Sequence, residues 1–216
     1  MKKARYITLE GTEGVGKTTQ TQKLVDFLRL KGYKVLQTKE PGTSLSPLTM
    51  TLRGIMLDNQ YNNQMTLAAR ELISQAIRSI HIDNVIVPAL SEYDFIIQDR
   101  GLLSGFAYGT ACGNSLEFIE ALVDAVVPDD VNAYRLYDNV IFLTGNVGDG
   151  LNRALTSKKE FAAGDAMESK GLSFLNDVSD RMRYMSKWFN TSTIAVDNKT
   201  IDEVHEEILR NLEIKG

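Results

Sequence analysis

Gly11-Thr12-Glu13-Gly14-Val15-Gly16-Lys17-Thr18 decides how this chain is read. The stretch has the pattern G-x-x-x-x-G-K-[ST], a phosphate-binding loop or P-loop. Its context fits the pattern. It follows a short β-prone run, Tyr6 to Glu10, and opens a segment at 17–31 whose Leu24, Phe27 and Leu28 share one helical face until Gly32 stops it. Glycines let the backbone curl so that several N–H groups face one phosphate. The helix N-terminus adds positive potential. Lys17 is placed to neutralise the β- and γ-phosphates of ATP, and the Thr18 hydroxyl to reach Mg²⁺. Gly11, Thr12, Glu13, Gly14, Val15, Gly16, Lys17, Thr18 and Thr19 form the candidate ATP-binding set.

Working outward, strand-like and helix-like segments alternate. Tyr33 to Thr38 returns to strand, and Glu40-Pro41-Gly42 signals a loop. Residues 47–57 read as a helix with Leu48, Leu52, Ile55 and Met56 apolar. Residues 65–91 read as one long helix striped by Ile73, Ile77 and Ile80, with Pro88 placed to kink its end. Phe95-Ile96-Ile97 is a buried strand ending in Asp99. Val140 to Leu143 and Thr193 to Val196 are further strands, and apolar spacing marks helices at 116–126, 175–189 and 201–212. Five short apolar strands separated by helices imply an α/β three-layer fold of P-loop NTPase type, with a parallel sheet covered on both faces. The expectation is a single domain over 1–216 with a small mobile lid at about 155–171, where periodicity is weak. A carboxylate at the C-terminal edge of a parallel strand lies near the ligand crevice, so Asp99 is a candidate to hold Mg²⁺ or its water.

Composition narrows the partners. The 216 residues carry a net charge of −4, so no global basic field invites polymeric nucleic acid. Cys112 is the single cysteine, so an intrachain disulfide is impossible, which fits a reducing compartment. No apolar stretch is long enough to span a bilayer, and the reading is a cytoplasmic protein. His81 and His205 belong to no motif and are expected at the surface.

Several motifs together resemble the thymidylate kinase family. Leu9-Glu10-Gly11-Thr12-Glu13-Gly14-Val15-Gly16-Lys17-Thr18-Thr19 has that family's acidic residue inside the P-loop. Lys39-Glu40-Pro41-Gly42-Thr43 is similar to its Arg-Glu-Pro-Gly-Gly-Thr loop, and Leu52-Arg53-Gly54-Ile55-Met56-Leu57-Asp58 to the stretch that follows. Arg78, Asp99-Arg100, Ser104, Ala107-Tyr108 and Val196-Asp197 complete the match, in order, along nearly the whole chain. The resemblance implies γ-phosphoryl transfer from ATP with Mg²⁺ to dTMP. It implies that Arg53 and Arg100 grip the substrate phosphate and that Arg78 reads the pyrimidine. Tyr108 would crowd the sugar 2′ position, Glu13 would lie near the 3′-hydroxyl, and Pro41, Ser74 and Ser104 would line the same pocket. Arg153 would pack on adenine. A homodimer through the long helices is implied as well.

The sequence also departs from the family pattern. Ser74 stands where the family has an aromatic against the base, and such stacking is worth roughly 1–3 kcal/mol. The expected consequence is a roomier pocket, open to other deoxynucleotides or to pyrimidines with a larger 5-substituent. Gly101 replaces an aromatic or histidine, and the Glu-Pro-Gly loop is about two residues longer than usual. A P-loop of this subtype takes its catalytic arginine from the lid, but Leu155 and Ser157 fill the matching positions. Lys158 or Lys159 is expected to act instead, with Lys17, Arg100, Asp99 and Glu13 completing the catalytic set. Other readings stay open: a deoxynucleoside monophosphate kinase of different or broader base preference, a P-loop switch, and a catalytically weak scaffold. A deoxynucleoside kinase is disfavoured by Glu13 and the Glu-Pro-Gly loop.

Overall fold

Side-chain alternation along the first strand builds two separate cores. In a computed structural model, which describes residues 4–127, 133–157 and 165–214, β1 runs Arg5–Glu10. Ile7 and Leu9 point to one face and pack with Val25, Ile97, Ile141 and Ile208. Tyr6 points to the other and packs with Phe106, Phe142 and Met182. Thr8 and Glu10 share the Tyr6 face by the same two-residue period, so a carboxylate is drawn beneath the P-loop. Helix α1 (Lys17–Leu30) follows the loop, then β2 (Val35–Lys39), α2 (Pro47–Leu57) and α3 (Leu67–His81).

The segment expected as one helix over 65–91 is interrupted. A π-helical turn, Ile82–Ile86, separates α3 from α4 (Val87–Glu92). Pro88 supplies the reason: its ring clashes with the carbonyl four residues back and it brings no N–H, so the ladder widens upstream. Next come β3 (Phe95–Asp99), α5 (Leu102–Ala111), α6 (Leu116–Asp124) and β4 (Asn139–Thr144). Then α7 (Val147–Ser157), α8 (Gly171–Met185), β5 (Thr191–Ala195) and α9 (Ile201–Asn211) complete the described chain. Neither α5 nor α7 was legible from periodicity.

The sheet has the order β2-β3-β1-β4-β5 and every pairing is parallel. From central β1 the chain leaves toward β2, returns through β3, and only then crosses to β4. That reversal opens a crevice at the carboxyl ends of β1, β3 and β4. Part of the expected lid is packed. Residues 155–157 belong to α7, and the Ala166 amide donates to the Leu57 carbonyl (3.0 Å) while Ala166 and Met167 are buried against Met56 and Ile77. Both histidines are buried, contrary to expectation: His81 beneath the loop after β2, and His205 edge-on to Phe27.

Candidate active site

The P-loop is held by backbone against backbone. Gly14 has φ +63°, and a Cβ there would fall 1.9 Å from the Gly150 carbonyl oxygen at the start of α7. A Cβ on Gly150 would lie 2.5 Å from the Glu13 carbonyl oxygen, so both positions need glycine. Helix α1 starts from Gly16 at φ 103° with no side-chain cap, which leaves its first amides to the loop. Val15 is buried in the α1-side core, whereas Thr18 and Thr19 are exposed on the first turn. Lys17 is only 6 % exposed and its Nζ donates to the Thr12 carbonyl (2.6 Å). Burial first, then Arg100, lowers its pKa to about 8. Register puts Leu9 of β1 beside Asp99 of β3, and the Thr18 hydroxyl donates to Asp99 Oδ2 (2.7 Å). Arg153 of α7 is exposed and its Nε donates to the Gly14 carbonyl (3.0 Å).

Arg100 joins this loop to a second site. It sits in the left-handed region, φ 66°, directly after β3. Its Nη1 donates to the Gly11 carbonyl (2.8 Å) and to Ser104 Oγ (3.2 Å), and its Nη2 to Glu13 Oε1 (2.8 Å). The Tyr108 hydroxyl donates to the other Glu13 oxygen. Burial pushes Glu13 up, but Arg100, Lys17 and the Tyr108 bond outweigh it and its pKa is lowered. Glu10 is the reverse case. It is fully buried, and burial raises its pKa to about 7 despite the Ser104 hydroxyl and Arg100. One Glu10 oxygen accepts from Ser104, and Oε1 has no partner among the described residues.

Beyond Arg100 lies a cleft of about 890 Å³, open solvent at its mouth included. Glu13, Pro41, Arg53, Ser74, Arg78, Arg100, Ser104 and Tyr108, all expected around the acceptor, line this one space. Arg53 Nη1 donates to the Pro41 carbonyl (2.8 Å). Arg78 is 3 % exposed; its Nε donates to Glu40 Oε2 (3.1 Å) and its Nη1 to Gln75 Oε1 (2.6 Å). His81 Nδ1 lies 3.1 Å from the other Glu40 oxygen, and His81 Nε2 lies 2.8 Å from Thr38 Oγ1. A chain of polar side chains thus fixes the α3 arginine from behind.

Sequence reasoning missed the supporting residues. Glu40 was quoted only as part of a loop motif, although His81 stands one helical turn beyond Arg78 on the same face. Glu71, Asp165 and Met167 also line the cleft and were not singled out. Cys112 is half-buried at the cleft, its Sγ 3.8 Å from Met167 Sδ. Lys158 and Lys159 lie outside the described residues.

A phosphate loop on a central parallel strand, coupled through Glu13 and Arg100 to a second cleft lined by arginines, defines a P-loop phosphotransferase. The chain belongs to the thymidylate kinase family, whose profile matches residues 9–208. A thymidylate kinase of Prochlorococcus marinus strain AS9601 is 33 % identical over 218 residues, spanning 97 % of both chains. One from a Psychrobacter species is 37 % identical over 185 residues, spanning 82 % of this chain and 81 % of its own. Among solved structures, a thymidylate kinase from Ehrlichia chaffeensis superposes with a TM-score of 0.71 over 98 % of this chain and 99 % of its own, at 24 % identity.

Proposed function

We propose that the protein transfers the γ-phosphoryl group of ATP to dTMP, yielding dTDP and ADP. The observation that carries this reading is the single cleft, adjoining the P-loop at Glu13 and Arg100, that gathers Arg53, Arg78 and Tyr108. A phosphate oxygen of dTMP attacks the γ-phosphorus in line, and the bond to the β–γ bridging oxygen breaks as ADP leaves. No covalent enzyme intermediate is required, because the phosphate monoester is an adequate nucleophile. Arg53 and Arg100 fork onto that phosphate and aim the attacking oxygen. Arg78 donates to the base, and Tyr108 with Glu13 holds the sugar. The loop amides and Lys17 take the ATP phosphates, and Arg153 packs on the adenine.

Thr18 and Asp99 offer a hydroxyl and a carboxylate at hydrogen-bonding distance, a hard-oxygen pair that fits Mg²⁺ better than a softer ion. When bound, Mg²⁺ neutralises phosphate charge. Lys158 or Lys159, outside the described residues, would add positive charge at the transferred phosphoryl group. We read the protein as a cytoplasmic homodimer; no helix of the described residues is long and apolar enough to cross a membrane. The exposed Leu72 and Val87 on the α3–α4 side are where a second copy would pack, and sedimentation of the protein checks it.

A coupled ADP-release assay over dTMP, dUMP, dCMP and dGMP tests the function. Fast release with dTMP supports it. Slow release unaffected by any mononucleotide would point to a P-loop switch instead.

A further inference from the structure

The cleft continues past Arg78 along a groove between α3 and α5. Two glycines of α5 line it, one turn apart. A Cβ on Gly105 would come within 2.7 Å of Arg78 Nη2, and one on Gly109 within 2.7 Å of Glu71 Oε2. The two positions lie about 6 Å apart along the helix at 1.5 Å per residue. Each glycine therefore makes room for one polar group of α3.

Hydrogen bonding leaves one half of each group available. Gln75 accepts from Arg78 Nη1 (2.6 Å) and donates to Glu71 Oε1 (2.7 Å). Glu40 takes Arg78 Nε. Arg78 Nη2 and Glu71 Oε2 have no hydrogen-bond partner among the described residues, although Glu71 is 5 % exposed and Arg78 3 %. Arg70, the adjacent cation, is engaged elsewhere: it donates to the Met56 carbonyl and to Asn62 Oδ1. Ser74, between the two on the cleft side, is too small to fill the space. Glu71 Oε2 faces the cleft rather than the packed interior, so a ligand that fills the cleft and displaces solvent from this oxygen must supply a donor to it.

We propose that Glu71 is a specificity-determining residue that reads a hydroxyl on the 5-substituent of a pyrimidine deoxynucleotide, as in 5-hydroxymethyl-dUMP, while Arg78 Nη2 donates to the neighbouring O4. The inference rests on the reading of this cleft as the acceptor-nucleotide site. The methyl of thymine fits the space but cannot hydrogen-bond to Glu71. A hydroxyl both donates and accepts, so it complements the carboxyl in either protonation state. That matters here because burial raises the Glu71 pKa.

The test compares kcat/KM for dTMP, 5-hydroxymethyl-dUMP and 5-ethyl-dUMP in the wild-type protein and in Glu71→Leu. The hydroxymethyl and ethyl groups are nearly equal in size and differ in the hydroxyl. The wild type is expected to use 5-hydroxymethyl-dUMP at least as well as dTMP, and at least about fivefold better than 5-ethyl-dUMP. In Glu71→Leu the hydroxymethyl-to-ethyl ratio is expected to fall by at least about fivefold while dTMP turnover persists. A purely structural role would lower all three together. A wild type that disfavours the hydroxymethyl nucleotide, or a ratio that moves less in the variant, overturns the assignment of Glu71. If Glu71→Leu does not fold, the wild-type comparison alone decides. Failure to phosphorylate any pyrimidine nucleotide would overturn the kinase reading beneath it.

Discussion

Replacing Glu40 by glutamine should expose how the α3 arginine is held. The side chains of Arg78 and Glu40 are 4 % and 5 % exposed and meet at 3.1 Å. Glutamine keeps the shape but removes the charge opposite the guanidinium. Breaking a buried pair from one side destabilises by about 3–5 kcal/mol, because the remaining charge is uncompensated. For a chain of this length each kcal/mol moves Tm by about 2–4 °C, so the expected fall is about 6–20 °C. Removing the stranded charge as well, in Glu40→Gln/Arg78→Met, should recover at least half of that loss. The pH dependence has a definite sign. Burial pushes Glu40 up, but Arg78 and His81 outweigh it and its pKa is lowered. Its contribution is therefore present above the ordinary carboxylate pKa and lost as pH falls through the lowered value. Thermal unfolding followed by circular dichroism at pH 7.5 and in acid reads both effects. A single variant within 2 °C of wild type, or a double variant no more stable than the single, would refute the argument.

Three further outcomes follow from the same geometry. Lys17→Met should lower turnover by about a hundredfold or more yet be more stable than wild type near pH 7. The penalty removed is about 3 kcal/mol, from 1.36 kcal/mol per pH unit between about 8 and 10.5; urea titrations should show the gap closing as pH rises through that window. Glu10 holds its proton up to about pH 7 in the folded state but only to about 4.5 when unfolded, so its contribution to stability falls as pH rises between those values. Glu10→Gln should lack that fall, which amounts to about 3 kcal/mol, and an equal wild-type-to-variant gap at pH 5 and pH 8 would contradict it. Gly150→Ala puts a methyl 2.5 Å from the Glu13 carbonyl oxygen. Strain of about 1–3 kcal/mol should raise the KM for ATP at least about fivefold, with little change for dTMP at saturating ATP.

What could be read from the sequence depended on where the signal was local. The β1–loop–α1 unit was plain because its pattern is contiguous, and the strands were plain because buried parallel strands read as short apolar runs. Helix α5 was not, since Leu102, Leu103, Phe106 and Ala107 are buried around much of its circumference and two glycines break its pattern. The break at Ile82–Ile86 was obscured by apolar residues that suit an α-helix or a π turn equally. In the cleft, Arg53, Arg78 and Arg100 were found through motif resemblance. The pairings that hold them were not, because Glu40 meets Arg78 across 38 residues and Glu13 meets Arg100 across 87. Glu71 was the recoverable omission: it precedes Gln75 by four residues and Arg78 by seven, one face of one helix.

The most direct test follows labelled phosphate. ATP labelled at the γ position is incubated with Mg²⁺, dTMP and the protein, and the products are separated. The account expects label to accumulate in dTDP, equimolar with ADP, at about 1–100 turnovers per second, and to vanish when dTMP is omitted. Label released only as inorganic phosphate, at a rate indifferent to dTMP, would contradict it.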